Sequence, residues 1–287
     1  AVFARRVLFP LQSLTESARR VAGGDLNARA ERGEQPLTEM SALVDDFNQM
    51  AEKLDNSSRD IRTWNAAIAH ELRTPVTILR GRLQGLADGI FPPEQQLFLN
   101  LVKQTDGLSH LIDDLRNLSL AQSGHLRLQY SVINVAQEIE AIAAVLDADF
   151  KASQHSLVLR LNETMVSCDA ARLRQALLAL LENARRYAVS GVVMISCREH
   201  NDGVMISVED EGPGISKQVA ASIWDAFVRG DDSRSRHSGG SGLGLAVVRA
   251  IILAHAGEVR CEPGELQGTR FSLWLPLLTA EEQKNAR

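Results

Sequence analysis

The chain has 287 residues, 45% hydrophobic, 23% charged and 5% aromatic, with a net charge of -5. That composition is ordinary for a globular protein of about two domains, and the acidic balance offers no basic footprint for nucleic acid. Three cysteines (Cys168, Cys197, Cys261), odd in number and without CxxC spacing, speak against a disulfide framework or zinc site and fit a reducing cytosol. No apolar run approaches the roughly 20 residues of a membrane helix.

The first predicted element is an amphipathic helix from Arg6 to Val21, with Val7, Leu8, Leu11, Leu14, Ala18 and Val21 at spacings of three and four. "AGGDLNARAERGEQP" breaks the pattern and reads as an extended connector. From Met40 the stripe resumes through Leu43, Phe47, Met50, Leu54, Ser57, Ile61, Trp64 and Ile68, alternating steps of three and four as in helices packed side by side. It continues as Leu72, Val76, Leu79, Leu83 and Leu86, and two successive steps of four place a stutter beside His70. "ADGIFPPEQ" is a turn, and a second helix runs to about Ala121 on Leu97, Leu101, Gln104, Leu108, Leu111, Leu115 and Leu118. Such a hairpin cannot bury both stripes alone. Two hairpins in a four-helix bundle can, which predicts a homodimer.

From about Gly124 the period changes. The β-like runs "HLRLQY", "SLVLRL", "GVVMISC", "GVMISVED", "EVRCEP" and "TRFSLWLP" alternate with helical ones over Val135–Asp149, Ala170–Tyr187 and Gly242–Ala256. Strands and about three helices in this order predict a two-layer α/β sandwich. The glycine-rich stretch Gly230–Gly244 reads as a long loop.

Chemistry gathers at two places. Two residues along a helix is roughly 200° of rotation, so His70, two beyond Ile68 and two before Leu72, points out of the stripe. Glu71 is adjacent and Thr74 lies one turn on, on the same face; a carboxylate beside an imidazole holds its proton and makes the other ring nitrogen a better nucleophile. The remaining histidines (His110, His125, His155, His200, His237, His255) read as ordinary surface residues. Pro75 removes the amide that would bond the Glu71 carbonyl, a loss of about 3 kcal/mol; with the stripe intact on both sides, a kinked helix is expected, not a broken one. The second place is "EDEGPGIS", giving Asp210, Gly212 and Gly214 at a strand end, followed by "GGSGLGLAVVRAI", giving Gly240, Gly242 and Gly244 running into a helix. Glycines before a helix let amides close on phosphate oxygens, although neither GxGxxG nor GxxxxGK[ST] is matched. Upstream, Asn183 on "LLENARRY" offers an amide oxygen for magnesium, and Arg186 a guanidinium for phosphate.

Taken in order, "AHELRTP", "LLENARRY", "DEGPGI", "FVRGDDSRSR", "GGSGLGLAVV" and "GTRFSLWLP" resemble a bacterial two-component sensor histidine kinase. Pro10, "GDLNAR" and "FNQM" resemble a HAMP signal-relay module. The resemblance covers essentially the whole chain. It implies a multidomain architecture: a helical HAMP module over 1–55, a dimeric four-helix-bundle hairpin for histidine phosphotransfer over 56–123, and an α/β two-layer sandwich ATP-binding domain over 124–287. His70 is then the phosphoacceptor, Glu71 its proton acceptor, and Thr74 a positioner of water in the reverse, phosphatase reaction. Asn183 coordinates Mg²⁺, with Glu182 beside it and Arg186 and Tyr187 near ATP. Asp210 accepts the adenine amino group, Gly212 and Gly214 admit the base, and Thr269 lines its pocket. Phe227 and Arg229 belong to a lid, and Gly240, Gly242, Leu243 and Gly244 wrap the phosphates. Ala179 stands where the family usually has an asparagine, and Arg186 where lysine is more usual.

The resemblance further implies autophosphorylation from ATP and transfer to an aspartate of a response regulator. It places the chain as the cytoplasmic, soluble portion of an inner-membrane protein, joined to a transmembrane segment outside this fragment; the opening "AVFARRV", without Met, fits a cut just past such a span. Two other readings compete: an inactive dimeric coiled-coil scaffold with a dead nucleotide fold, and a relative that phosphorylates serine or works as a clamp. The latter folds lack a His-Glu pair on a bundle helix.

Overall fold

The computed structural model describes residues 2–33, 37–188, 190–228 and 241–277, without the side chains of residues 2–5, 217 and 218. The chain divides into two compact units, Ala1–Thr77 and Ile78–Arg287.

In the first unit, helix α1 (Val2–Ala22) and the start of α2 (Thr38–Ala87) enclose the connector between them. Ala30, Val44, Phe47 and Ala51 are buried together, with Leu14, Ala18 and Val21 against them. The connector is extended, so its amides need partners. Asn48 supplies two: its Oδ1 accepts from the Ala30 amide at 2.8 Å and its Nδ2 donates to the Ala30 carbonyl at 3.0 Å. Ser13 and Ser17 of α1 bind the same strand-like segment through Glu31 N and Arg29 O. The face of α2 packed here runs 44, 47, 51, and leaves most of the heptad stripe out: Leu43, Met50, Leu54 and Ile61 are exposed, Met50 by 51% and Ile61 by 54%. α2 runs as one helix through Pro75, unbroken as the sequence pattern requires.

In the second unit, α3 (Gln95–Gln122) buries Leu101, Leu111, Asn117 and Leu118 and packs against α7 (Gly244–Ala254). It also meets α5 (Ala170–Tyr187) through a polar cluster: Arg172 Nη1 donates to Asn117 Oδ1 at 2.8 Å, and Gln175 bonds Asn117 and Asp114. Strands β2 (Ser156–Leu161), β4 (Val192–His200), β5 (Gly203–Asp210), β7 (Thr269–Pro276) and β6 (Glu258–Pro263) form one sheet in the order β2-β4-β5-β7-β6, antiparallel except for β2 beside β4. Asn201 and Asp202, both at positive φ, turn the β4–β5 hairpin, the conformation a two-residue type I′ loop requires. One sheet face, with Val193, Ile195, Val204, Ile206, Val208 and Leu273, is buried under α4 (Val135–Ala152), α5 and α7. This is the two-layer sandwich that the alternation of strands and helices predicts.

Three short elements escape the sequence pattern: β1 (Ser131–Asn134) paired with β3 (Met165–Cys168), and α6 (Lys217–Ser222). Conversely "HLRLQY" is no strand. Leu126, Leu128 and Tyr130 alternate in burial as expected, but the Gln129 amide goes to Asp169 Oδ2 at 2.9 Å and ladder pairing begins only at Ser131. His155 and His255 are 6% and 3% exposed, not surface residues. His255 joins two elements, accepting from the Asp169 amide through Nε2 and bonding Ile251 O through Nδ1. His155 packs edge-on against Phe150.

Candidate functional site

The site in the second unit grows from the end of β5, where three consecutive acids hold three different pieces of chain. Asp210 is 6% exposed. Its Oδ1 accepts from the Gly212 amide at 2.7 Å and the Thr269 amide at 3.3 Å, and no described residue donates to Oδ2. Burial pushes its carboxyl pKa up, against the pull of those two amides. A nearly buried carboxylate oxygen with an open valence suits an N–H donor from a ligand. Space around it is made by absent side chains. A Cβ on Gly212 would come within 2.6 Å of Asp210 Oδ1, one on Gly268 would strike the Asp210 carbonyl and the Gly212 amide, and Gly214 turns at φ +73°.

Glu211 accepts from the Val192 amide at 3.0 Å and fills the space a side chain on Gly191 would need. Glu209, on the other face of the strand, binds Arg270 Nε at 2.8 Å and Nη2 at 2.7 Å and accepts from the Leu266 amide. Sequence reading singled out Asp210 alone. The available signal was the pair of charges flanking it at the end of an otherwise apolar strand.

Two further segments converge on the same end of the sheet. A Cβ on Gly212 would lie 3.4 Å from Ala188 Cα, so the C-terminal end of α5 abuts the Asp210 loop. Ala179 lies 3.9 Å from where a Cβ on Gly244 would stand, and Asn183, one turn further, shares that helix face and so points toward the start of α7. Asn183 makes no hydrogen bond to a described residue, whereas Glu182 is committed to Arg185 at 2.8 Å and Arg186 at 3.1 Å. Arg186 is therefore tethered beside the site, and Tyr187 is exposed on its edge. Gly242 (φ +68°) and Phe227 (φ +65°) are joined by a Phe227 N to Gly242 O bond of 2.9 Å. Leu243 is fully buried and anchors the loop, its amide bonding Ser241 Oγ at 3.3 Å. The start of α7 has no side-chain cap among the described residues, and the helix dipole there favours negative charge. Arg229 and Gly240 lie outside the described residues.

In the first unit, His70 is exposed on α2 while Ile68 and Leu72 are half-buried, the orientation the helix period predicts. Thr74, also exposed, donates from Oγ1 to the His70 carbonyl at 3.3 Å, and Glu71 is half-buried.

A carboxylate in a glycine-lined wall, an asparagine amide without a partner among the described residues and a glycine turn into a helix N-terminus suit an α/β sandwich to a nucleotide, in a chain that also carries an exposed histidine on a long helix. Residues 168–279 match the family described as "Histidine kinase-, DNA gyrase B-, and HSP90-like ATPase", residues 60–124 the "His Kinase A (phospho-acceptor) domain", and residues 2–56 the "HAMP domain". Signal transduction histidine-protein kinase BaeS of Escherichia coli (strain K12) is 32% identical over 96% of this chain and 59% of its own length. The solved structure of histidine kinase AdeS of Acinetobacter baumannii is 36% identical, covers 73% of this chain and 98% of that one, and superposes with a TM-score of 0.64. Histidine kinase ThkA, solved in complex with response regulator protein TrrA, is 22% identical over 80% of this chain and 66% of that one, with a TM-score of 0.61, a likeness of fold. The chain belongs to the two-component sensor histidine kinases, and spans about three-fifths of the length of BaeS. Among the described residues, no helix is long and apolar enough to cross a membrane.

Proposed function

We propose that this chain is the catalytic region of a sensor histidine kinase that phosphorylates itself on His70 from ATP and passes the phosphoryl group to an aspartate of a response regulator. The observation that carries it is the presence in one chain of an exposed His70, flanked by Glu71 and Thr74, and of a sandwich whose buried Asp210 has one carboxylate oxygen without a donor among the described residues. The working division is a relay module over 1–55, a phosphotransfer hairpin over 56–123 and a nucleotide domain over 124–287.

Asp210 Oδ2 accepts the adenine amino group, Gly212, Gly214 and Thr269 let the backbone approach the base, and Tyr187 covers the edge of the pocket. Gly242, Leu243 and Gly244 present amides to the phosphates, and Arg186 faces the same charge, with Phe227 beside them. Asn183 would hold Mg²⁺ through its amide oxygen. That donor set fits the ion: magnesium keeps several waters and phosphate oxygens and needs few protein ligands, and among the described residues no group of three acidic, histidine or cysteine side chains converges. When bound, the ion neutralises developing charge on the phosphates.

Transfer is a displacement. The unprotonated ring nitrogen of His70 supplies the electron pair of the new N–P bond, the bond from the γ-phosphorus to the bridging oxygen breaks, and ADP leaves with the electrons of that broken bond. Glu71 holds the proton on the other nitrogen and stabilises the cation that forms. Positioning and charge supply most of the acceleration. In the reverse direction Thr74, once released from the His70 carbonyl, orients water toward a phosphorylated regulator. That ThkA was solved with a response regulator supports a partner of this kind. The chain works as a homodimer, at the inner face of a bacterial membrane to which segments outside this sequence attach it.

The test is labelling with [γ-³²P]ATP. Wild type should take up an acid-labile, base-stable label, and His70→Gln none. Acid-stable label, or label that survives in His70→Gln, overturns the reading in favour of another phosphoacceptor; no label on wild type favours the inactive scaffold.

A further inference from the structure

Glu209 is the most deeply buried acid in the described structure that the chemistry above leaves unused. It is 1% exposed, inside an apolar strand, and adjacent strand residues face opposite sides. Its side chain therefore cannot touch a base held by Asp210. It grips the β6–β7 turn instead. Glu209 Oε1 accepts from the Leu266 amide and Oε2 binds Arg270, its cross-strand partner on β7, through Nε at 2.8 Å and Nη2 at 2.7 Å. Arg270 is held from outside by Glu265 at 2.9 Å. The turn is closed by the Gly264 amide on the Gly268 carbonyl at 3.0 Å. Gly264 lies against Glu209, since a Cβ there would come within 2.6 Å of Oε1. At its other end Gly268 lies directly on the Asp210 carbonyl and the Gly212 amide, and the next residue, Thr269, donates to Asp210 Oδ1.

We infer that Glu209, through Arg270 and the 264–268 turn, is a positioning residue that sets the aim of Asp210 and so the preference of the pocket for adenine over guanine. The inference rests on the nucleotide reading of Asp210. A carboxylate oxygen accepts from the adenine 6-amino group and opposes the guanine 6-oxygen, acceptor against acceptor. Discrimination therefore depends on where Asp210 Oδ2 stands, because a buried polar group left unpaired or opposed is what rejects the wrong ligand. The turn supplies one of the two amides that fix the Asp210 carboxylate, and Glu209 fixes the turn.

The experiment measures dissociation constants of ATP and GTP, each with Mg²⁺, for the full chain by competition against a fluorescent ATP analogue. Wild type should favour ATP, and Asp210→Asn should lose the preference. Glu209→Gln and Arg270→Met should each narrow the ATP-to-GTP ratio by about tenfold, and Glu209→Gln should add nothing on the Asp210→Asn background, because both act on one contact. Gly264→Ala, which pushes the Glu209 carboxylate aside without removing its charge, should narrow the ratio in the same direction and decides the matter if Glu209→Gln does not fold. A wild type without preference, or an Asp210→Asn protein that keeps it, overturns the base assignment and the inference with it. If wild type discriminates and Asp210→Asn does not, but the other variants keep the full ratio or weaken ATP and GTP equally, the positioning role alone is wrong.

Discussion

Asp114 on α3 shows how one side chain can tie the stability of a helix–helix contact to pH. It faces Gln175 of α5, with His110 and Asp113 beside it on its own helix, and burial pushes its carboxyl up from 3.8 to about 6. A folded value above the unfolded one means that the folded chain binds the extra proton. The contact is therefore fully favoured below pH 4, weakens as pH rises through about 6, and loses up to about 3 kcal/mol in all before levelling off. Asp114→Asn keeps a polar partner for Gln175 and cannot ionise. Thermal melts between pH 4 and pH 8 should show the variant more stable than wild type above pH 6, with the acid-side slope flattened; parallel curves would dismiss the coupling. The sequence gives no hint of this residue, because its burial depends on α5, some sixty positions away. Asp210 was readable for the opposite reason: its glycines follow within the same few residues, so the local pattern contains the site. Glu209 and His255 were not, since their partners come from distant strands and helices.

Helices announced themselves more clearly than strands. The apolar steps of three and four located α1, α2 and α3 because each repeats over several turns, while β1, β3 and α6, with four to six residues, are too short for a period to emerge. "HLRLQY" carries the alternation of a strand because alternate side chains are half-buried, and burial, not pairing, is what alternation reports. Pro75 tests the relation of pattern to mechanism on a longer element. α2 continues through it as one helix, yet a proline lacks the amide that an ordinary residue would offer the Glu71 carbonyl, next to His70. Pro75→Ala restores that bond and should stiffen the segment by about 3 kcal/mol. If the stutter beside His70 has two packings, the variant should shift the ratio of autophosphorylation to dephosphorylation of the regulator by several-fold, in either direction. Unchanged rates for both would remove Pro75 from the relay.

At the scale of the whole molecule, the exposed apolar side chains are arranged and not scattered. Within the first unit Leu43, Met50, Leu54 and Ile61 lie at steps of seven, four and seven along α2, all facing out, while the neighbouring stripe through Val44, Phe47 and Ala51 is already buried against α1 and the connector. Within the second unit α3 likewise exposes Phe98, Val102 and Ile112. A helix with one buried and one exposed apolar stripe is half of a coiled-coil seam, and a second copy presenting the same stripe closes it. Burying a Met or Leu side chain contributes about 1.5–3 kcal/mol, and each position counts twice in a symmetric dimer. Met50→Glu with Leu54→Glu should therefore raise the dimer dissociation constant by at least about a hundredfold, as read by sedimentation equilibrium. The two residues are exposed beside the buried face of Val44, Phe47 and Ala51 and are not part of that core, so the circular dichroism of the monomer should stay helical. If wild type sediments as a monomer at every accessible concentration, or the doubly charged variant dimerises as tightly as wild type, the seam lies elsewhere. Should dimerisation fall as expected while label on His70 becomes second order in protein, transfer passes between the two copies; if the label stays first order, each nucleotide domain serves its own histidine.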